Sequence, residues 1–467
     1  MTSRLALVTG ATGHIGGRLV PELLDRGWRV RVLSRGELPA DTEWAERVES
    51  VHGDASDAGD VREALSGVNA AWYLLHSMDG RGDFVVRDRA MAELFARTAA
   101  EEGVGRLVYL SGLHPDEELS PHLASRVEVG EILLGSGVPT AVLQAGVVLG
   151  AGSASFEMLR HLTERLPAVV APKWLGSRIQ PIADSDVIHL LASAADLPPE
   201  VNRTFDVGGP DVLTYADLMR RYAAVTGLGR RFIKTVPVLT PGLASHWVGL
   251  VTPVASGVAR PLVGSLVHDA VVGESDLLDL LPGPPGGLKG VDDAIRSATE
   301  TVDPHAWSRQ LRRAAAVVGG AALVGSLLTT PDSRWYRSLD LPSWQPPNWA
   351  FPVVWTTLYA TTTIASTATI AELREAEMDN EATAFERALV ANMVLNAGWS
   401  GLFFRGHRPR LAAAECAVLT ASSADLARRA APSGKVRGGV LGAYAAWCGF
   451  ATALTAAIAR RNPEPKD

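Results

Sequence analysis

The sequence predicts two domains of different fold class: a doubly wound, parallel α/β sheet with a small substrate lobe, and then an all-α bundle of five transmembrane helices. Short apolar runs alternate with amphipathic helical patterns through residues 1–300, which is typical of a parallel sheet covered by helices on both faces. Five long apolar segments follow within residues 314–462. The total of 467 residues also exceeds one ordinary domain.

The composition limits the possible partners. The net charge is −7, and the Lys and Arg residues are dispersed along the chain, so we predict no nucleic-acid-binding surface. The two cysteines, Cys416 and Cys448, lie inside apolar segments and lack the spacing of metal ligands. We therefore predict no disulfide framework and no metal site, and we expect both thiols to be buried.

The N-terminal domain begins with a strand, a glycine-rich turn and a helix. Residues 4–9 form a short apolar run, Gly10, Gly13 and Gly16 follow, and an amphipathic pattern then extends to Gly27. In this context the N–H groups of the turn and of the helix N-terminus bind the pyrophosphate of a dinucleotide. A structural turn that binds nothing is the alternative.

The end of the second predicted strand bears on the choice of cofactor. This strand, residues 30–33, leads into Ser34 and Arg35. An acidic residue at this position binds the ribose 2′-hydroxyl of NAD, whereas an arginine suits the 2′-phosphate of NADP. We therefore expect NADP(H) to be preferred over NAD(H); an arginine that only faces solvent is the alternative.

The remaining strands and the substrate lobe follow in order. Residues 203–230 have the pattern of a strand, a turn and a helix capped near Thr214, and we assign them to the small lobe. Residues 235–259 carry no charge, but prolines interrupt them, so we predict a cleft wall or a membrane-surface segment and not a membrane span. The glycine- and proline-rich residues 281–290 are typical of a linker or a long loop. Further strands are predicted at 48–53, 70–75, 106–110 and 140–144.

These N-terminal motifs together resemble the atypical, NmrA-like and extended members of the short-chain dehydrogenase/reductase superfamily, over residues 1 to about 300. The resemblance implies a Rossmann-type fold, an adenine contact for Asp54 and a position beside the nicotinamide for Ser111. The cofactor-binding residues that it implies are Gly10, Thr12, Gly13, His14, Ile15, Gly16, Arg35, Asp54, Ala55 and His76.

The family's catalytic Tyr-x-x-x-Lys pair is missing from the expected place. Counting back in fours from Glu131 gives Val127 and Leu123, although Ser125 and Arg126 are adjacent. Reduction of a carbonyl group requires a positioned acid, and Ser111 remains as the candidate catalytic residue. Conceivable substitutes are Tyr73, His76 and Tyr109.

The C-terminal part contains five apolar segments, each about long enough to cross a hydrocarbon core of ~30 Å. We expect residues 301–313 to form a linker and residues 314–462 to form the membrane domain. Asn396 and Glu415 are polar positions within the segments, so each should face the bundle interior or a partner. The segments are residues 314–331, 351–371, 388–404, 411–427 and 438–459.

Residues 335–359 combine four tryptophans with four prolines, so we predict an ordered loop followed by a helix from residue 351. With Trp399, Tyr444 and Trp447 downstream, this pattern resembles the TspO/MBR family of tryptophan-rich sensory or translocator proteins. The resemblance implies a possible homodimer and a pocket for tetrapyrroles such as haem-type porphyrins, or for other flat apolar ligands. The implied pocket residues are Trp344, Phe351, Trp355, Tyr359, Asn396, Trp399, Trp447 and Ala451.

The sequence leaves three functions open. The first is a sensor or transporter for a tetrapyrrole-like ligand, with an N-terminal domain that reports redox state. The second is an NADPH-dependent oxidoreductase acting on an apolar, membrane-derived substrate, and the third is a non-enzymatic scaffold with a structural nucleotide. Positive charges are divided almost equally between the two sides of the segments, so they do not fix the orientation. Because NADP(H) is cytoplasmic, we expect a multi-pass protein of the cytoplasmic membrane with its N-terminal domain inside.

Overall fold

The computed structural model describes residues 4–76, 84–114, 119–236, 264 and 267–463. The chain divides into two compact units, Met1–Pro304 and His305–Asp467. The uncharged stretch 235–259 lies outside the described residues, except for its first two positions.

Strands and helices alternate in the N-terminal unit. The strands are β1 (Leu5–Thr9), β2 (Arg29–Ser34), β3 (Glu49–His52), β4 (Ala70–Tyr73), β5 (Arg106–Gly112), β6 (Thr140–Ala145), β7 (Val148–Leu149), β8 (Ala168–Pro172), β9 (Arg178–Ile179), β10 (Ile182–Ala183), β11 (Arg203–Val207), β12 (Leu213–Thr214) and β13 (Phe232–Val236). The α-helices are α1 (His14–Asp25), α2 (Ala58–Leu65), α3 (Phe84–Glu101), α4 (Pro121–Leu134), α5 (Ala154–Arg165), α6 (Asp184–Ser193), α7 (Tyr215–Val225), α8 (Leu277–Leu280) and α9 (Val291–Thr299).

Seven strands form one parallel sheet in the order β11-β6-β5-β4-β1-β2-β3, which confirms the predicted Rossmann-like fold. Strand β1 is buried along its whole length because it pairs with β2 on one side and β4 on the other. The strand order reverses at β1, and open α/β sheets bind their ligands at the carboxyl ends of the strands near such a reversal.

A second, smaller core lies beside this sheet. Three strand pairs, β7 with β10, β8 with β13 and β9 with β12, accompany helices α5, α7 and α9. The core that joins these helices contains Phe156, Tyr222 and Ile295. Residues 281–290 precede α9, so this loop lies within the N-terminal unit and not between the two units.

The described part of the C-terminal unit consists of helices and connecting loops. Its helices are α10 (Ala306–Leu328), α11 (Arg334–Arg337), α12 (Ala350–Glu375), α13 (Asp379–Ser400), α14 (Pro409–Ala430) and α15 (Lys435–Arg461), and α13 continues into a π-helical turn, Gly401–Arg405. Residues 338–349 connect α11 to α12 without a helix or strand, as the prolines predict. Because α10 begins at Ala306, residues 306–313 of the expected linker are helical.

Among the described helices, two, α10 and α15, are long and apolar enough to span a membrane, whereas the sequence analysis expected five. Helix α12 is not one of the two, and threonine recurs along it. The hydroxyl groups of Thr363, Thr367 and Thr369 donate to carbonyl oxygens four residues earlier, so these polar groups are satisfied within the helix. Acidic and basic residues lower the hydropathy of α13 and α14.

Candidate functional site

The turn between β1 and α1 requires glycine at two positions. Gly10 has φ of +69°, and a Cβ atom there would lie 2.8 Å from the carbonyl oxygen of Leu74. A Cβ atom on Gly16 would collide with the carbonyl oxygen of Gly10. The Gly13 N–H donates to that same oxygen at 3.0 Å. The turn is therefore closed tightly against β4, and the N-terminus of α1 lies beside it.

A cavity of about 410 Å³ opens at this turn, along the carboxyl ends of β1, β4, β5 and β6. Of the residues predicted to bind the cofactor, Gly10, Gly13, His14, Ile15, Gly16 and His76 line it, together with Ser111. Thr12, Arg35, Asp54 and Ala55 are not among its lining residues.

Arg35 and Asp54 lie at the ends of the neighbouring strands β2 and β3. The backbone N–H and the hydroxyl of Ser56 donate to the Asp54 carboxylate at 2.8 and 2.7 Å. These hydrogen bonds lower the pKa of Asp54, and the charge of Arg35 lowers it further. Arg35 is exposed, and the described residues include no ion-pair partner for it within 4 Å. Its guanidinium can therefore reach an anionic group in this region.

Four buried polar atoms around the cavity have no hydrogen-bond partner among the described residues. They are His14 Nε2, Ser111 Oγ, Arg126 Nε and the Tyr215 hydroxyl, and all four residues line the cavity. Buried polar atoms in folded proteins almost always have a partner. Donors and acceptors gathered around a glycine turn therefore fit a polar, phosphate-bearing ligand such as a dinucleotide.

Helix α4 contributes two residues to the cavity that were not predicted as site residues from the sequence. The guanidinium of Arg126 donates to the Leu110 carbonyl at 2.6 Å, and His122 lies one helical turn earlier, with its ring 6.4 Å from that of His76. Burial, and then the charge of Arg126, lowers the pKa of His122 to about 4. The signal was the His-x-x-x-Arg spacing, one residue before the positions counted as Leu123 and Val127.

The three residues considered as substitutes for a catalytic acid lie in different environments. Tyr73 is buried between Phe95, at 5.0 Å between ring centroids, and Tyr109, at 6.1 Å; it does not line the cavity. Tyr109 does line it, but burial raises the pKa of its phenol. His76 lies at the cavity wall, with its ring 6.4 Å from that of His122.

In the C-terminal unit, helices α12 and α15 bring together most of the residues predicted for the ligand pocket. Trp355 stacks on Tyr359 at 5.4 Å and meets Trp447 edge-on at 6.5 Å. Phe351 lies 6.3 Å from Trp447, and Phe450 stacks on Trp447 at 5.1 Å. We call these five rings the aromatic wall. Trp344 contacts its edge at 5.8 Å from Phe450, and Ala451 is half-buried next to Phe450.

Trp399 belongs to a different group of rings. It stacks on Phe403 at 5.2 Å, and Phe403 also meets Trp335 at 5.4 Å. Trp335 in turn stacks on His407 at 4.4 Å. Trp399 was assigned to the pocket from its motif, and Trp335 was left out of it, but both rings pack in one cluster. Phe351 and Phe450 of the aromatic wall also pack against this cluster, whereas Trp355, Tyr359 and Trp447 pack in the other. The indole N–H groups of Trp399 and Trp447 are both buried without a partner among the described residues.

A polar network lies against the aromatic wall. Tyr359 donates to the Asn396 oxygen at 2.7 Å, and the Asn396 amide donates to the Tyr444 hydroxyl at 3.2 Å. Tyr444 donates to Asn392 at 2.9 Å, and the Asn392 amide reaches Ser423 at 3.0 Å. Asn396 therefore joins α12, α13 and α15, and its oxygen and amide are both engaged within the protein. The Glu415 carboxylate on α14 is also buried, without a partner among the described residues.

The comparisons with known proteins agree with this division. Residues 314–461 match the TspO/MBR family. The tryptophan-rich protein TspO of Chlorobaculum tepidum is 31% identical over 144 residues, which are 30% of this chain and 87% of that protein. The chain belongs to the TspO/MBR family. Protein CrtK of Rhodobacter capsulatus is 41% identical over 75 residues, 16% of this chain; the chain spans 44% of its length. TspO/MBR proteins are membrane proteins that bind small apolar ligands.

Residues 10–135 form an NAD(P)H-binding domain, because they match the NAD(P)H-binding family. Ceramide reductase of Caulobacter vibrioides is 27% identical over 263 residues, 54% of this chain and 81% of that enzyme. The fold is similar to that of triphenylmethane reductase of Citrobacter sp., with a TM-score of 0.52 and 18% identity over 64% of this chain and 99% of that structure. A structure of the Citrobacter enzyme with NADP(H) has a TM-score of 0.50 and 17% identity over 63% of this chain.

Proposed function

We propose that this TspO/MBR protein is a membrane-anchored NADP(H)-binding protein that senses or transports a tetrapyrrole or similar flat apolar ligand. The observation that carries the proposal is the aromatic wall beside a polar network that leaves Asn396 no unengaged polar group. Because the polar groups of Asn396 and Tyr359 already bond to each other and to Tyr444, the wall offers ring faces to a ligand and few hydrogen bonds. Such a surface suits a large, flat, apolar molecule.

The nucleotide half of the proposal rests on the glycine turn and the cavity beside it. The turn leads into α1, whose first residue is His14. The Nε2 atom of His14 is buried without a hydrogen bond among the described residues. We propose that Ser111 lies beside the nicotinamide, Asp54 contacts the adenosine, and Arg35 binds the 2′-phosphate. An arginine fork pairs with phosphate through charge-assisted hydrogen bonds, so NADP(H) is the preferred cofactor.

We also propose that all five long helices of the C-terminal unit cross the cytoplasmic membrane, with the N-terminal domain on the cytoplasmic side. Helices α12, α13 and α14 carry more polar residues than α10 and α15, but many of these polar groups are satisfied internally. Five threonine hydroxyls of α12 donate to its own backbone, whereas those of Thr362 and Ser366 are buried without a partner among the described residues. Asn392 bonds to Ser422 and Ser423 of α14. Polar groups satisfied in this way are compatible with lipid around the bundle. The membrane domain also provides the surface for a possible homodimer.

Selective loss of the two ligands tests the proposal. The purified full-length protein is titrated with NADPH and with protoporphyrin IX, using the quenching of tryptophan fluorescence. Gly16→Ala places a methyl group against the Gly10 carbonyl, so it should abolish NADPH binding and leave porphyrin binding intact. Trp447→Ala should weaken porphyrin binding and leave NADPH binding intact. The proposal is wrong if the wild type binds neither ligand, or if both variants lose both ligands while their melting temperatures stay unchanged.

A further inference from the structure

Helix α4 is held against the sheet by close contacts. A Cβ atom on Gly130 would lie 3.4 Å from Val142 of β6, so the helix backbone approaches the strands closely. The hydrogen bond from Arg126 to the Leu110 carbonyl fixes the N-terminal half of α4 to β5. His122 lies four residues before Arg126, and side chains at this spacing share one face of a helix. His122, Arg126 and Ser111 therefore line the same side of the cavity.

Several other titratable groups line this cavity, but each is engaged in another way. His14 lies beside the glycine turn, 3.8 Å from Asp184, where the pyrophosphate is expected. Tyr109 packs on Tyr73, and its buried hydroxyl interacts with Ser111 and Arg126; Tyr215 is buried in the second core. His76 comes from the end of β4 and faces the ring of His122. His122 is the titratable side chain that shares a helical face with a fixed cation.

We propose that the N-terminal domain is also catalytic and that His122 transfers the proton in the NAD(P)H-dependent interconversion of an apolar ketone and its secondary alcohol. Arg126 is a positioning residue that keeps its charge beside the reacting oxygen, and the unpartnered Ser111 hydroxyl orients that oxygen. This inference rests on the nucleotide-binding half of the proposed function and is independent of porphyrin binding.

The atoms and charges of the reaction balance. Burial and the charge of Arg126 lower the pKa of His122 to about 4, so its resting imidazole is neutral. In the oxidative direction it accepts the hydroxyl proton of the alcohol, and a bound nicotinamide would accept the hydride from the carbinol carbon. The proton then passes to water, whereas Arg126 remains protonated throughout. In the reductive direction the carbonyl carbon gains the hydride and the carbonyl oxygen gains the proton of the protonated form of His122, so reduction is favoured as the pH falls.

The cavity indicates the substrate class. Beyond Ser111 its walls are Leu113, Leu123, Val147, Met158 and Ile179. These side chains leave room for an alkyl chain or a ring on the substrate and offer it few hydrogen bonds. An apolar ketone of this kind partitions into membranes, which suits a chain that carries a membrane domain.

The test uses the full-length protein in detergent, with NADPH and 2-undecanone for reduction and with NADP⁺ and 2-undecanol for oxidation. The wild type should turn over both probes. His122→Gln should lower kcat at least about 100-fold, as expected for loss of a general acid–base group, with little change in NADPH affinity. Arg126→Met should lower kcat more than it changes KM. Glu131→Gln, at an exposed position of the same helix, is the matched control and should behave as the wild type.

The pH dependence provides a signature that a structural role would not give. Reduction should slow and oxidation should accelerate as the pH rises through one shared apparent pKa. Among the described residues, the titratable or charged groups beside His122 are His76, which follows β4, and Arg126 from α4 itself. The double variant His122→Tyr with Arg126→Lys should restore turnover with a profile displaced to higher pH, because a phenol has a higher pKa than an imidazole.

A second readout does not depend on turnover. In protein labelled with ¹³C-histidine, the resonance that disappears in His122→Gln identifies His122, and its titration should shift when NADP⁺ and then 2-undecanol are added. If NADPH does not bind, the proposed function itself fails. If NADPH binds but neither probe is turned over, or if His122→Gln turns over as fast as the wild type, the catalytic inference alone is overturned.

Discussion

Ser111 and Ser423 show how the same residue type has opposite consequences for stability in the two units. The hydroxyl of Ser111 is buried at the cavity without a partner among the described residues. The hydroxyl of Ser423 donates to the Leu419 carbonyl at 2.8 Å and accepts from Asn392. A buried hydroxyl without a partner costs free energy, whereas a buried hydrogen-bonded one contributes net stability.

Alanine at these two serines should therefore have opposite effects. Ser111→Ala should leave the free energy of unfolding of the N-terminal unit unchanged or raise it by up to about 1 kcal/mol. Ser423→Ala should destabilise the C-terminal unit by about 1–2 kcal/mol, because the Asn392 amide loses one of its acceptors. Differential scanning calorimetry in detergent measures both. Equal destabilisation by the two substitutions would contradict the hydrogen-bond assignment.

The choice between the two dinucleotides depends on Arg35. An exposed guanidinium without an ion-pair partner among the described residues should bind the 2′-phosphate of NADPH more tightly than the 2′-hydroxyl of NADH. Arg35→Asp should reverse the preference, because a carboxylate accepts from the hydroxyl and repels the phosphate. Fluorescence titration with both cofactors measures it, and Arg97→Asp, at an exposed position of α3, is the control. Equal affinities in the wild type would contradict this assignment.

The cavity histidines make the N-terminal unit sensitive to acid. Burial, and then nearby positive charge, lowers the pKa values of His14 and His122 below 6.5. Arg18, Asp184 and Glu157 surround His14, and Arg126 faces His122. Between about pH 6.5 and 4 the unfolded chain binds protons that the folded chain does not, so the free energy of unfolding falls as the pH falls. Carboxylates titrate mainly below this window when unfolded.

We therefore expect the melting temperature of the N-terminal unit to decrease from pH 7.5 to pH 5. His122→Asn should flatten this dependence because it removes one titrating group. Calorimetry at several pH values provides the measurement, and His52→Asn, at an exposed histidine of β3, is the control. A melting temperature that does not change over this range would show that these histidines are not held neutral by the fold.

At the scale of the helices, we predict that porphyrin affinity depends on which tryptophan ring is removed. Trp355→Ala and Trp447→Ala each delete a wall ring, and porphyrin affinity should weaken by about 1–3 kcal/mol per ring, by analogy with base–aromatic stacking. Trp349 is 71% exposed, so Trp349→Ala should bind as the wild type. Trp335→Ala removes a ring of the other cluster and should affect stability more than affinity. Unchanged porphyrin affinity in all four variants would place the pocket elsewhere.

The elements that the sequence predicts well are those with a strong local signal. Strand β1 is buried along its whole length, and its sequence is accordingly a continuous apolar run. Gly10 and Gly16 are required by close contacts at the turn that follows it. The start of α10 was predicted too late, because Arg309, Arg312 and Arg313 suggest a linker although they lie on the helix. Charged residues at a helix end cannot be separated from a linker by hydropathy alone.

The site was predicted less completely because it depends on contacts between elements distant in sequence. His122 and Arg126 become informative when the Leu110 hydrogen bond places α4 against β5. Trp399 was assigned by motif to the same pocket as Trp355, but packing against Phe403 puts it in another cluster. The contact between Arg126 and Leu110 spans 16 residues, so no periodicity in the sequence indicates it. The contact between Trp399 and Phe403 is local, but the cluster forms because Phe403 also packs on the distant Trp335.

At the scale of the whole molecule, the chain joins an NAD(P)H-binding domain to a TspO/MBR domain. A sensor requires that one ligand alter the affinity for the other, and such coupling is reciprocal by thermodynamic necessity. A chain whose two sites are independent would bind both ligands without reporting one to the other. Binding affinities measured in both orders therefore distinguish a sensor from two domains that merely share a chain.

The most direct test is a pair of titrations of the full-length protein in nanodiscs. NADPH is titrated with and without saturating protoporphyrin IX, and protoporphyrin IX is titrated with and without saturating NADPH. We predict that each ligand changes the dissociation constant of the other by the same factor, about 5-fold or more, and that Trp447→Ala removes the porphyrin effect on NADPH. Two dissociation constants that are each unaffected by the other ligand would contradict the sensor account.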